Sequence, residues 1–206
     1  MRRIEIDYGV CNYTGRQESE TIAMDPTIKL KITLIGEGGI GKTSLIKRYV
    51  FDQFSDGYIT TIGTKVTKKE LKLRHPVTEE NYNVTMMIWD IMGQRGFREI
   101  LKEAYFYGTQ GAIAVCDVTK AQTLERLEEW IQSLFQITTD VPIVFMGNKC
   151  DLVDKAQLTY SDVKNFASNY EEPTVFLTSA KTGINVNLAF KTLAEKILKK
   201  SAEQEE

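Results

Sequence analysis

The chain has 206 residues, of which 42% are hydrophobic, enough to bury the core of one domain of ordinary size and leave tails over. A formal net charge of -2 gives no basic footprint, so nucleic acid is not expected as the principal partner. Three cysteines, Cys11, Cys116 and Cys150, form no paired CxxC and support neither a disulfide framework nor a zinc site, which fits a reducing, intracellular setting.

The amino terminus MRRIEIDYGV has no apolar run behind its arginines, and nowhere do roughly 18 apolar residues follow one another, so neither secretion nor membrane spanning is expected. Without a glycine at position 2 or a cysteine near the carboxyl end, no direct lipid anchor is expected. Residues 1–27 are polar and irregular and read as a flexible extension, with a short strand in RIEIDYGV and a second potential start at Met24. SAEQEE closes the chain as an acidic tail, residues 201–206.

Between these ends, apolar runs of strand length alternate with helical periods. IKLKITLIG precedes TSLIKRYVFDQF, and GAIAVCDV precedes AQTLERLEEWIQSLF, in which Leu124, Leu127, Ile131 and Leu134 step by three and four along one face. VPIVFMGN, SDVKNFASNY, TVFLTSA and NVNLAFKTLAEKILKK continue the pattern, with Phe190, Leu193 and Ile197 on one stripe. TKVTKKELKLRHPVTEENYNVTMMIWD breaks it with two strand-like runs around HPVTEEN, an antiparallel hairpin. The expected fold is α/β: a mixed, mostly parallel six-stranded sheet with helices on both faces, and ligands outside the carboxyl ends of the strands.

GEGGIGKT, Gly36 to Thr43, fits G-x-x-x-x-G-K-[ST] between a strand and an amphipathic helix. Its glycines turn backbone NH groups around an anion, and the helix adds the positive end of its dipole. Lys42 supplies a point charge for β- and γ-phosphates, and Thr43 a hydroxyl for Mg²⁺. NKCD, residues 148–151, ends a strand; Asp151 can accept from both the NH and the NH₂ on one edge of guanine, a fork that adenine lacks, which disfavours an ATPase. Asn148 can bridge base and phosphate loop, and the stem of Lys149 can cover one face of the ring. In TSAK, residues 178–181, the NH of Ala180 can reach the guanine oxygen and Lys181 can cover the other face.

GEGGIGKT, YITTIG, WDIMGQ, NKCD and TSAK, in this order and spacing, resemble the five nucleotide-binding elements of Ras-superfamily small GTPases, and YITTIG, FYGTQGAIAVCDVT and TGINV are most similar to Rab proteins. The resemblance implies a P-loop G domain over residues 28–200, GTP and GDP as ligands with Mg²⁺, and nucleotide contacts from Gly36, Gly38, Gly39, Ile40, Gly41, Lys42, Thr43, Ser44, Gly93, Asn148, Lys149, Asp151, Ser179, Ala180 and Lys181. It also implies Phe54 packed edge-on against guanine, seven residues before Thr61, and Tyr58 as an aromatic lid over the phosphates. Thr61 would reach Mg²⁺ and γ-phosphate in the GTP state, Asp90 would hold Mg²⁺ through water, and Gln94 would orient the attacking water. With Lys42, Gln94 and Thr61 form the expected catalytic set. No arginine lies just before Thr61, so slow intrinsic hydrolysis is expected, with an activating protein, an exchange factor and effectors as partners of a cytoplasmic monomer that partners recruit to membranes.

Met92 departs from the family pattern, where a small residue stands beside the γ-phosphate, so a nucleotide-binding scaffold with negligible hydrolysis is the alternative. The hairpin around HPVTEEN is longer than is usual, and His75 in it reads as a solvated turn residue. Cys116 and Cys150 read as small apolar packers, and Trp89 and Trp130 as core or partner-facing aromatics.

Overall fold

The computed structural model describes residues 25–55, 57, 60–75, 77–93 and 102–203, together with the backbone of 6–7. The strands are β1 (Ile6–Asp7), β2 (Thr27–Ile35), β3 (Thr64–Arg74), β4 (Asn81–Ile91), β5 (Gly111–Asp117), β6 (Ile143–Asn148) and β7 (Thr174–Thr178). The helices are α1 (Lys42–Phe51), α2 (Gln122–Glu125), α3 (Leu127–Phe135), α4 (Tyr160–Ala167) and α5 (Val186–Glu203).

Six strands run β3-β4-β2-β5-β6-β7, and β1 lies antiparallel to the start of β2, pairing Ile6 with Ile28 and Asp7 with Thr27. Since β4 covers one edge of β2 from Thr27 onward and β5 joins the other only from Ile32, β1 occupies the stretch of that second edge which β5 leaves bare. All pairings from β4 through β2, β5 and β6 to β7 are parallel, and the β3–β4 hairpin is antiparallel, as the sequence predicts.

The sheet is covered on both sides because its strands alternate. In β5, Ile113 and Val115 join Leu45, Tyr49, Phe190 and Leu193 of α1 and α5, while Ala112, Ala114 and Cys116 join Leu127, Trp130 and Ile131 of α3. The same two-residue period divides Val144 and Met146 from Ile143 and Phe145 in β6. Tyr49 stacks on Phe190 with ring centroids 4.1 Å apart and so fastens α1 to α5. The predicted helical stripes hold: Leu124, Leu127, Ile131 and Leu134, and likewise Phe190, Leu193 and Ile197, are all buried. The first of these helices is two segments rather than one, parted at Arg126, whose NH bonds back to the carbonyl of Gln122 at 3.1 Å.

One sequence expectation is overturned. His75 is not a solvated turn residue but is 6% exposed. Its Nδ1 accepts from the backbone NH groups of Val77 and Thr78 at 3.2 and 3.1 Å, and its Nε2 lies 3.2 Å from the carbonyl of Leu198. Backbone NH groups can only donate, so Nδ1 is the acceptor and the ring proton sits on Nε2, facing the helix carbonyl. A polar loop residue is buried here because it satisfies the turn on one side and α5 on the other. His75→Ala is expected to lower unfolding free energy by about 1–2 kcal/mol, since two partly buried turn amides and a buried helix carbonyl lose this side-chain partner; a urea melt with an unchanged midpoint would refute that role.

Candidate functional site

Residues 36–41 leave β2 and enter α1 through a turn that only glycine can make. Gly41 has a φ of 101°, and a Cβ there would lie 2.3 Å from Nδ2 of Asn148. α1 begins with no side-chain cap and no acidic residue in its first turn, so its amides and dipole face outward without an internal anion. Lys42 is buried at 6% exposure and donates to the carbonyls of Gly36 at 2.6 Å and Glu37 at 2.8 Å. Burial pulls its pKa down to about 8, against the opposing pull of Asp90 and Glu37.

Beside this loop, the hydroxyl of Thr43 donates to Oδ2 of Asp90 at 2.6 Å and stands 3.0 Å from the hydroxyl of Thr61. Asp90, at the end of β4, is 2% exposed, and its Oδ1 meets no hydrogen-bond partner among the described residues. Burial raises its pKa, which hydrogen bonding from Thr43 and the charge of Lys42 oppose. Two hydroxyls and a carboxylate with a spare buried oxygen form an oxygen-only donor set, the kind that a small hard cation such as Mg²⁺ takes. The chain then passes Met92, whose NH bonds to the carbonyl of Gly63 at 3.1 Å, and reaches Gly93. A Cβ on Gly93 would lie 2.5 Å from the Glu37 carbonyl carbon and the Gly38 nitrogen, so the segment that follows β4 abuts the phosphate loop backbone to backbone. Met92 is 6% exposed, lines the cleft and belongs to neither hydrophobic cluster of the core.

At the other end, Asn148 terminates β6 and is buried. Its Nδ2 donates to the carbonyl of Ile40 at 2.8 Å, and its Oδ1 accepts from the NH of Ala180 at 3.3 Å and the hydroxyl of Thr178 at 3.4 Å. Lys149, with φ of 68°, donates to the carbonyl of Gly39 at 2.9 Å and pairs with Oδ2 of the fully buried Asp117 at 2.7 Å. Asp151 accepts from Ser179 at 2.6 Å on Oδ1, which orients the carboxylate. Arg48 of α1 reaches across to the carbonyls of Ala180 at 2.9 Å and Lys181 at 2.7 Å and pins the 178–181 turn.

These elements enclose a cleft of about 610 Å³. Of the sequence-predicted residues, Gly38, Gly39, Gly41, Lys42, Thr43, Ser44, Phe54, Thr61, Gly93, Asn148, Lys149, Asp151, Ala180 and Lys181 line it. Gly36, Ile40 and Ser179 stand behind the wall, acting through Lys42, Asn148 and Asp151 respectively, and Asp90 acts through Thr43. Phe54 both lines the cleft and packs against the α1–α5 side of the core. Tyr58 and Gln94 lie outside the described residues. Sequence reasoning missed Asp117 and Arg48, and also Lys47, Lys120 and Leu152 of the wall. A buried acid at a strand end was the available signal for Asp117; Arg48 gave none, being one cation among several on an amphipathic helix.

The sequence profile of the Ras family matches residues 31–199. The GTP-binding protein ypt1 of Schizosaccharomyces pombe is 37% identical over 169 residues, covering 81% of this chain and 79% of that protein. The Ras-related proteins Rab-13 of Rattus norvegicus, 36% identical over 172 residues (83% of this chain, 81% of that one), and Rab-22A of Canis lupus familiaris, 33% over 171 residues (82% and 84%), are similar to it as well. With the sheet order, the phosphate loop and the cleft agreeing with that likeness, the chain belongs to the Ras family of small GTPases and resembles its Rab members.

Proposed function

We propose that this GTPase is a guanine-nucleotide switch in signalling or intracellular traffic, with residues 28–200 as its nucleotide-binding domain, 1–27 as an extension and 201–206 as an acidic tail. It binds GTP and GDP and hydrolyses GTP slowly, working with an exchange factor, an activating protein and effectors, as a cytoplasmic monomer brought to membranes by partners. No helix among the described residues is long and apolar enough to cross a membrane.

The observation that carries the reading is the meeting of Thr43, Thr61 and Asp90 from three separate segments at one point beside Lys42. Thr43, Thr61 and, through water, Asp90 would hold Mg²⁺, which when bound neutralises charge on the β- and γ-phosphates. Lys42 and the amides of the 36–43 loop hold the phosphates in line, and Gly93 gives its segment the close approach to the loop that a γ-phosphate contact requires. Gln94 would orient the attacking water. Loss of the γ-phosphate releases Thr61 and Gly93 together, which is the switch. Asp151, held by Ser179, and the Ala180 amide read guanine, while Lys149 and Lys181 cover the two faces of the ring.

Met92 supports a second reading, binding with negligible turnover, because its covered side chain lines the same cleft as Thr61 and Gly93. The switch reading predicts that nucleotide released on denaturing the purified protein is GDP or GTP; adenine nucleotide alone would refute it. Met92→Ala is expected to change single-turnover phosphate release or GDP dissociation by about threefold or more. Equal rates in both proteins would mean that the side chain has no part in the cycle. Asp151→Asn replaces an acceptor by a group that also donates, so competition binding should show preference passing from guanosine to xanthosine diphosphate by about 10²-fold or more. Retained guanine selectivity would remove Asp151 from base recognition.

A further inference from the structure

A carboxylate inside an anion-binding loop needs an explanation, and Glu37 is one. Its side chain is 15% exposed and turns away from the cleft, beneath the loop. There Nη1 of Arg126 donates to its Oε2 at 3.3 Å, and Nε1 of Trp130 lies 3.4 Å from its Oε1. Arg126 is the residue at which α2 passes into α3, and Trp130 is fully buried one turn later. The Glu37 carbonyl accepts from Lys42, whose ammonium stands 5.9 Å from the Trp130 ring centroid, and the same peptide abuts Gly93.

The Glu37 residue thus touches three things that nucleotide binding uses: the lysine, the γ-phosphate-side glycine and the loop backbone. Its negative charge opposes a bound phosphate unless a cation offsets it, and Arg126 supplies one from outside the loop. We propose that Glu37 is a positioning residue that ties the phosphate loop to α3, and that Arg126 is a counter-ion that helps to keep the tied loop receptive to phosphate. The α2–α3 junction thereby sets how long the nucleotide stays. Arg126 is 43% exposed, so a carboxylate on a partner that engages it from outside would draw it from Glu37 and hasten release.

The inference rests on the nucleotide-switch reading, and the test separates the two. Dissociation of a fluorescent GDP analogue from the full chain with Mg²⁺ is followed by stopped flow for the wild type, Arg126→Ala, Arg126→Lys, Glu37→Gln and the double variant Glu37→Gln/Arg126→Ala. Arg126→Ala should release the analogue about three- to tenfold faster, and this acceleration should shrink as potassium chloride rises. Arg126→Lys should recover most of the slow release because it keeps the charge. In the Glu37→Gln background the Arg126→Ala change should have no effect, a charge-specific coupling that a merely structural contact would not produce. Wild-type release from Arg126→Ala, or acceleration that persists in the Glu37→Gln background, would overturn the proposal. A wild-type chain that binds no GDP analogue would overturn the switch reading itself.

Discussion

The cleft depends on the carboxamide of Asn148. One side chain donates to the 36–43 loop at Ile40 and accepts from the 178–181 turn at Ala180, so it fixes the separation between the two ends of the cleft. The bond is buried, where no water competes for either partner, and Gly41 leaves the space that lets the amide approach. Asn148 is in turn held at a defined height because β6 is the fully buried strand between β5 and β7, and its carbonyl accepts from Val118 on the next connection. The cleft-lining loops are thus referred to a buried central strand of the sheet.

Charge around the cleft follows one rule: each buried ion has its partner on another segment. Lys149 reaches Asp117 of β5, Lys42 lies within the field of Asp90 of β4, and Glu37 reaches Arg126 between α2 and α3. Breaking the Lys149–Asp117 pair by removing the lysine deprives a fully buried carboxylate of that cation, which costs more than the pair contributes. The arrangement therefore makes the relative position of the strand ends an electrostatic requirement as well as a packing one.

Much of this was legible in the sequence because the informative signals are local. A glycine-rich loop, the NKCD and TSAK turns and the two-residue alternation of β5 and β6 each lie within a few consecutive residues, and the site follows from where a parallel sheet places its strand ends. What escaped depends on partners distant in the chain. His75 reads as a loop residue until Leu198, 123 positions away, comes within reach of its Nε2. Asp117 needs Lys149, Arg48 needs the 180–181 carbonyls 132 and 133 positions on, and the break at Arg126 lies inside a continuous helical period. Periodicity reports which face is apolar; it carries no record of which polar group a tertiary fold will bring to meet another.

The long hairpin β3–β4 is fastened at both extremities. Its register runs without interruption from Thr64 opposite Ile91 to Arg74 opposite Asn81, and beyond the latter His75 grips the last turns of α5. A beam clamped at its distal end and zipped along its length cannot swing as a lever about that end. Under the proposed switch, displacement of the segments carrying Thr61 and Gly93 would be absorbed within a few peptides, at the Gly63 carbonyl that receives Met92 and at the contact of Gly93 with Glu37. Little of that displacement would then travel along the sheet, and on the proposed reading the message of an altered nucleotide would stay at the rim of the cleft, within reach of a second protein.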